Sequence, residues 1–145
     1  MNSTIVTTDG KAQTTGKFMR YMVDKYHRDM LPYIYYPLPE VYNAIKNIPY
    51  RPDPKDRETL MRPLYTMTLD GTGGDCDDKA IALASYCQLC GLPWRFEAVR
   101  KYNAPTWHHV INGIKLAGKW IIADATYSDN TFGQYREQYA DHLLL

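Results

Sequence analysis

The spacing of apolar residues predicts three helices. In residues 15–28, large apolar side chains recur every four positions, which is typical of an amphipathic helix. A proline-rich stretch follows and leaves room for one short helix at residues 40–48. A third, central helix is predicted by small or apolar side chains at i, i+3, i+4 and i+7, and it ends before Gly91 and Pro93. Its apolar stripe consists of Ala80, Leu83, Ala84 and Cys87.

Three later segments have the pattern of β-strands. Residues 94–100 alternate apolar and polar side chains, and residues 109–115 and 119–123 flank a tight turn. Two strands joined by so short a turn pair antiparallel. We therefore predict an α+β fold in which one central helix packs on an antiparallel sheet.

The composition is that of one globular domain. The 145 residues are 45% hydrophobic, which is enough for a packed core, and we expect a single domain over residues 1–145. Residues 1–14 are expected to form a loose N-terminal arm. Residues 128–145 form a C-terminal extension whose three final leucines either fold back on the core or dock a partner.

Charge and hydropathy argue against two classes of partner. The net charge is +1, whereas domains that neutralise nucleic-acid phosphates carry a basic surplus. No stretch approaches the roughly 20 apolar residues of a membrane span, and the N-terminus lacks the pattern of a signal peptide. Three cysteines cannot all pair internally, which favours a reducing compartment. We expect no nucleic-acid partner, no membrane partner and no secretion by a signal peptide.

The most informative string is Gly-Gly-Asp-Cys-Asp-Asp-Lys-Ala at residues 73–80. The two glycines allow a turn, Asp75 is a good helix N-cap, and Cys76 then stands in the first turn of the central helix. The N–H groups and the positive end of the helix dipole favour a thiolate there. Cys76 is therefore the candidate nucleophile, although a cysteine taken alone is more often a small buried side chain.

A base and an orienting carboxylate are expected on the hairpin that follows. Adjacent histidines, His108 and His109, open the first strand, and Asp124 follows the second. A two-residue turn at 117–118 puts His109 on the same face as Asp124. A three-residue turn at 116–118 puts His108 there instead. The residues alone leave both alternatives open.

Three ordered motifs resemble the transglutaminase-like superfamily of papain-like cysteine enzymes. They are Gly-Asp-Cys-Asp-Asp-Lys-Ala at residues 74–80, His-Val-Ile-Asn at 109–112 and Gly-Lys-Trp-Ile-Ile-Ala-Asp-Ala-Thr at 118–126. The resemblance implies a triad in which Cys76 is the nucleophile, His109 is the general base and Asp124 orients it. The family more often has Asp-Pro-Thr at the third motif. The Cys76 N–H is a natural oxyanion donor, and Tyr50 and Tyr65 lie upstream without either being singled out.

The resemblance implies a papain-like fold and acyl transfer through a thioester on Cys76, with no cofactor and no metal. The expected reaction is hydrolysis of a peptide or isopeptide amide in a protein or peptide substrate. The alternatives are a cross-linking transglutaminase and a phage virion or assembly module with little activity. Residues 52–78 look most like short, stand-alone members from tailed-phage and prophage genomes. Phage structural proteins are therefore candidate partners, and the host cytoplasm or the virion is the expected location.

Cys87 and Cys90 have the spacing of half a zinc site. Both are expected on the apolar stripe of the central helix, and no second pair of ligands lies nearby. Core packing is therefore favoured over metal binding for both thiols.

Overall fold

The computed structural model describes residues 5–8, 11–53, 58–68, 73–100, 105–107, 109–134 and 141–145. The helices are α1 (Ala12–Tyr26), α2 (Leu38–Lys46), α3 (Pro63–Thr68) and α4 (Cys76–Cys90), and a 3-10 helix (His27–Tyr33) follows α1. The strands are β1 (Ile5–Thr8), β2 (Glu58–Met61), β3 (Trp94–Arg100), β4 (His109–Leu116), β5 (Lys119–Ala123) and β6 (Asp141–Leu144). Within these ranges, no helix has the length and hydropathy needed to span a bilayer.

The larger sheet confirms the predicted fold class. It is antiparallel, with strand order β5-β4-β3-β6, and α4 packs on β3 and β4. A second, two-stranded antiparallel sheet is formed by β1 and β2. The molecule is thus α+β, and the helix that begins at Cys76 packs on an antiparallel sheet.

The central helix α4 is buried around its whole circumference. Every residue from Asp77 to Cys87 is buried, because α1, α2, α3 and the 3-10 helix pack against α4 in addition to the sheet. The predicted apolar stripe is present but covers only part of the buried surface. Burial of this many apolar side chains is the main source of stability in a domain of this size.

One side-chain hydrogen bond fixes how α4 sits on the sheet. The Asn112 amide Nδ2, on β4, donates to the Ala80 carbonyl of α4 over 3.0 Å, and both residues are buried. Because a buried amide without a partner is costly, this bond disfavours sliding of the helix along the strand. The position of α4 on the sheet therefore determines where Cys76, its first residue, lies relative to β4 and β5.

Two parts of the segment that was expected to be a loose arm, residues 1–14, belong to regular elements. Ile5–Thr8 forms β1, which pairs with β2, and α1 already begins at Ala12. The run Ile-Val-Thr-Thr is entirely β-branched, which suits a strand once a partner is present. Within the C-terminal extension, β6 pairs with β3 and Leu145 is buried, so the described end folds back on the core.

The two cysteines at the end of α4 differ in environment. Cys87 is fully buried, and desolvation, together with the neighbouring Cys90 thiol, raises its pKa to about 12. Cys90 is exposed, so the expectation that it faces the core is wrong. The reason is that α4 reaches the surface at its last turn, where Gly91 adopts a left-handed conformation with φ of 72° and ends the helix.

Replacing Cys87 by serine should destabilise the fold, because a hydroxyl would enter a site built for an apolar thiol. We expect the free energy of unfolding to fall by about 1–3 kcal/mol. Cys90→Ser is the matched control and should leave the free energy within about 0.5 kcal/mol of wild type. Urea unfolding followed by circular dichroism measures both. Equal stability of Cys87→Ser and wild type would contradict the observed burial.

Candidate active site

Two glycines bring the start of α4 against the segment after α2. Gly73 has a φ of 66°, and a Cβ atom there would lie 2.1 Å from the Pro49 carbonyl oxygen. Gly74 N donates to the same carbonyl over 3.1 Å, and Arg51 N donates to the Gly74 carbonyl over 3.0 Å. These bonds form a parallel bridge between Gly74 and Tyr50. The close approach requires glycine at residue 73.

A capping box begins α4 at Cys76. The Asp75 side chain accepts from Asp78 N, and the Asp78 side chain accepts from Asp75 N, each over 3.1 Å. The other oxygen of Asp78 accepts from Met61 N over 2.9 Å, which ties the cap to β2. Cys76 is partly exposed, and its Sγ lies 3.6 Å from Asp77 Oδ1. The predicted nucleophile is therefore accessible at a helix N-terminus.

The hairpin has the two-residue turn. Ala117 and Gly118 both have positive φ, 50° and 78°, and Leu116 pairs with Lys119. In this register His109 and Asp124 share a face, and His109 Nε2 lies 2.9 Å from Asp124 Oδ2. A carboxylate only accepts hydrogen bonds, so Nε2 carries the proton of the neutral imidazole. His108 lies outside the described residues.

The Asp124 carboxylate is held ionised by its hydrogen bonds. Burial by itself raises the pKa of Asp124, but the bonds from His109 and Thr126 outweigh burial and bring the pKa below its ordinary value. Thr126 N donates to the second carboxylate oxygen over 3.0 Å. The Asp124 carbonyl accepts from Tyr42 Oη over 2.8 Å and from Asn130 Nδ2 over 3.1 Å. Asp124 is thereby fixed in place through both its side chain and its backbone.

Two tyrosine rings, those of Tyr127 and Tyr50, continue from the His109 imidazole in a row of ring contacts. The Tyr127 ring stacks on the His109 imidazole, with centroids 5.7 Å apart, and the Tyr50 ring lies 6.1 Å from that of Tyr127. Burial raises the pKa of the Tyr50 phenol above its ordinary value, and the charge of the nearby Cys76 raises it further. Sequence reasoning did not single out Tyr127. The signal that could have found it is its position directly after the Asp-Ala-Thr motif.

A cavity of about 390 Å³ opens beside these rings. Its walls are residues 46–50 and 126–129, and Lys79 of α4 also lines it. Lys79 is 1% exposed, and its Nζ donates to three backbone carbonyls. The acceptors are Lys46 at 3.2 Å, Ile48 at 2.6 Å and Thr126 at 3.0 Å. Burial lowers the pKa of Lys79 to about 8, and the charge of Asp124 opposes that shift.

An acidic cluster surrounds the N-cap of α4. Among the described residues, Asp53, Asp75 and Asp77 have carboxylate oxygens within 4.8 Å of one another, the arrangement of a possible metal-ligand group. Asp53 is held by Thr59, whose N and Oγ1 donate to it over 3.0 and 2.6 Å. Burial, followed by repulsion between carboxylates, raises the pKa of Asp75. Protonation therefore relieves the repulsion in this cluster.

Comparison with known proteins adds two findings. The family model of the transglutaminase-like superfamily matches residues 28–125. A solved structure of the arylamine N-acetyltransferase from Mycobacterium abscessus aligns with a TM-score of 0.38 and 13% identity, covering 60% of this chain. The alignment spans 30% of that enzyme's chain. A search of curated proteins gave no significant match.

The acidic cluster and the neighbouring Asp78 should make the protein less stable at neutral pH than at mildly acidic pH. Burial raises the pKa of Asp78 to about 7, whereas in the unfolded chain it has an ordinary value near 4. The folded state therefore keeps a proton that the unfolded state has lost, and the free energy of unfolding falls as pH rises from about 4 to about 7. Asp53→Asn should reduce this fall, because the charge of Asp53 contributes to the raised pKa values of Asp75 and Asp78.

Thermal unfolding at pH 5 and pH 7 measures the effect. Asn at residue 53 keeps an oxygen that can accept from Thr59. Asp24→Asn is the control, since Asp24 is exposed on α1. Its free energy of unfolding should fall between pH 5 and pH 7 by as much as that of wild type. All other ionisable groups are common to wild type and both variants. If the free energy of unfolding fell equally in Asp53→Asn and in wild type, Asp53 would not contribute to the raised pKa values of Asp75 and Asp78.

Proposed function

Since the chain belongs to the transglutaminase-like superfamily, which includes cysteine-dependent acyltransferases, we propose that it transfers acyl groups through a thioester on Cys76. Membership confirms the resemblance read from the three motifs. The observation that carries the proposal is the buried hydrogen bond between His109 and Asp124. An imidazole oriented by a carboxylate is the base that activates a cysteine nucleophile in this kind of triad.

Each member of the proposed triad has a defined part. The imidazole Nε2 is engaged with Asp124, so Nδ1 is the nitrogen that accepts the proton from Cys76 Sγ. The thiolate attacks the acyl carbon, and a C–S bond forms. The imidazolium then gives its proton to the leaving amine as the C–N bond breaks. The ionised Asp124 stabilises the positive charge on His109 while the proton is held there.

The Tyr127 ring supports the base in a second way. It stacks on the His109 imidazole at an interplanar angle of 21° and covers one face of the ring. An imidazolium over an aromatic face is also favoured electrostatically. Together with the Asp124 bond, this contact restricts the ring to one plane, which reduces the entropy lost on reaching the transition state.

Water is the proposed acceptor of the acyl group, and the proposed reaction is hydrolysis of a peptide or isopeptide amide. Water needs no binding subsite of its own. A lysine amine acceptor would require a second subsite in addition to the one that binds the acyl donor. A protein or peptide is the proposed substrate, because the cavity lined by residues 46–50 and 126–129 adjoins the start of α4 through the bridge between Tyr50 and Gly74 and offers room for residues beside the scissile amide.

Incubation of the protein with casein, with and without a small primary amine, distinguishes the acceptors. We expect mass spectrometry to find cleaved or deamidated products in both reactions and no amine adducts. Amine adducts on glutamine would identify a cross-linking enzyme instead. A complete lack of products with casein, together with no acylation of Cys76 by p-nitrophenyl acetate, would favour a binding module.

Mutation of the two histidines tests the base. His109→Ala should lower the rate of Cys76 acylation by p-nitrophenyl acetate by about 10²–10⁴-fold, the usual contribution of a positioned general base. His108→Ala is the matched control and should stay within a few-fold of wild type. Cys76→Ser should abolish acylation. A larger loss in His108→Ala than in His109→Ala would reverse the assignment of the base.

A further inference from the structure

We propose that the Tyr50 hydroxyl is the second donor to the oxyanion formed during attack by Cys76, beside the backbone N–H of Cys76 itself. The inference rests on the proposed function and names a further catalytic residue for it. An oxyanion needs more than one donor near the carbonyl oxygen, because the negative charge appears only in the transition state and must be met by preorganised groups.

The backbone fixes the position of Tyr50 relative to Cys76. Tyr50 is bridged in parallel to Gly74, two residues before the nucleophile, by the hydrogen bonds of Pro49 and Arg51. Backbone pairing of this kind tolerates little movement, since the bonds break if the segment shifts. The tyrosine is therefore held next to the helix N-terminus independently of its own side-chain packing.

The ring of Tyr50 is supported on one side and accessible on the other. It lies against Tyr127 at an angle of 30°, is 49% exposed, and lines the cavity. Because Tyr50 is bridged to Gly74, this part of the cavity wall lies beside the helix N-terminus at which Cys76 stands. Because its pKa is raised by burial and by the charge of Cys76, the phenol keeps its proton at neutral pH and acts as a donor.

The other upstream tyrosine is placed differently. Tyr65 lies on α3, where its backbone N–H donates to the carbonyl of Arg62, and Arg62 forms an ion pair with Asp29. Tyr50, by contrast, is bridged to Gly74 at the start of α4 and lines the cavity. The structure thus separates the two tyrosines that the sequence left equivalent.

The reaction with p-nitrophenyl acetate isolates the step. The Cys76 sulfur bonds to the carbonyl carbon, and the carbonyl electron pair moves to oxygen, which the Cys76 N–H and the Tyr50 O–H then hold. Re-formation of the C=O bond expels p-nitrophenolate and leaves an acetyl thioester. Water hydrolyses the thioester, which releases acetate and restores the thiol. Alkylation by iodoacetamide displaces iodide at a saturated carbon and forms no oxyanion.

Tyr50→Phe removes the hydroxyl and keeps the ring. We expect acylation by p-nitrophenyl acetate to fall by about 10²-fold, as for loss of one oxyanion donor, while iodoacetamide alkylates Cys76 at the wild-type rate. Tyr65→Phe is the matched control and should retain both rates. Circular dichroism and the melting temperature verify that each variant is folded.

The remaining outcomes overturn the inference in distinguishable ways. A parallel loss of acylation and alkylation would mean that Tyr50 acts on the thiolate and not on the oxyanion. Unchanged acylation in Tyr50→Phe, with Cys76→Ser inactive, would remove the role of Tyr50 and leave the proposed function intact. Equal acylation of Cys76→Ser and wild type would overturn the proposed function and this inference together.

Discussion

The structure depends on burying α4 on all sides while its first residue remains accessible. A helix so enclosed can carry polar side chains only if each finds a partner. Ser85 Oγ donates to the Ile81 carbonyl one turn earlier, and Asp78 accepts from two backbone N–H groups. Lys79 donates to three carbonyls. These polar groups lie mainly toward the N-terminal end of α4, so the same bonds that permit burial also order the surroundings of Cys76.

Much of the fold could be predicted from periodicity. The central helix and the strands at residues 94–100 and 119–123 have enough residues for the pattern to be unambiguous, and the structure has them at those positions. The four-residue strands β1, β2 and β6 are too short to show a period, and their pairing depends on distant partners. The short helix α3 begins at Pro63 and was not predicted, because it starts at the last proline of the proline-rich stretch.

The candidate site was predictable where its signals are local. Gly-Gly-Asp before Cys76 indicates a capped helix, and the hairpin brings a histidine beside Asp124. The choice of histidine was open because the observed turn needs a positive φ at Ala117, which is uncommon for alanine. Lys79 could not be predicted, because the pattern alone cannot tell a buried lysine from a surface charge. The position of Tyr127 after the Asp-Ala-Thr motif could have drawn attention to it, but not to the stacking of its ring on the imidazole.

The three hydrogen bonds of Lys79 also limit how the site can move. They tie one cavity wall, after α2, and the other wall, after β5, to the same ammonium group on α4. Separating the walls would break charge-assisted bonds that are each worth about 1.5–3 kcal/mol. Opening of the cavity therefore has an energetic cost, so a ligand would meet walls that are already in place. Binding is then closer to lock-and-key than to induced fit, with little loss of backbone entropy when the ligand enters.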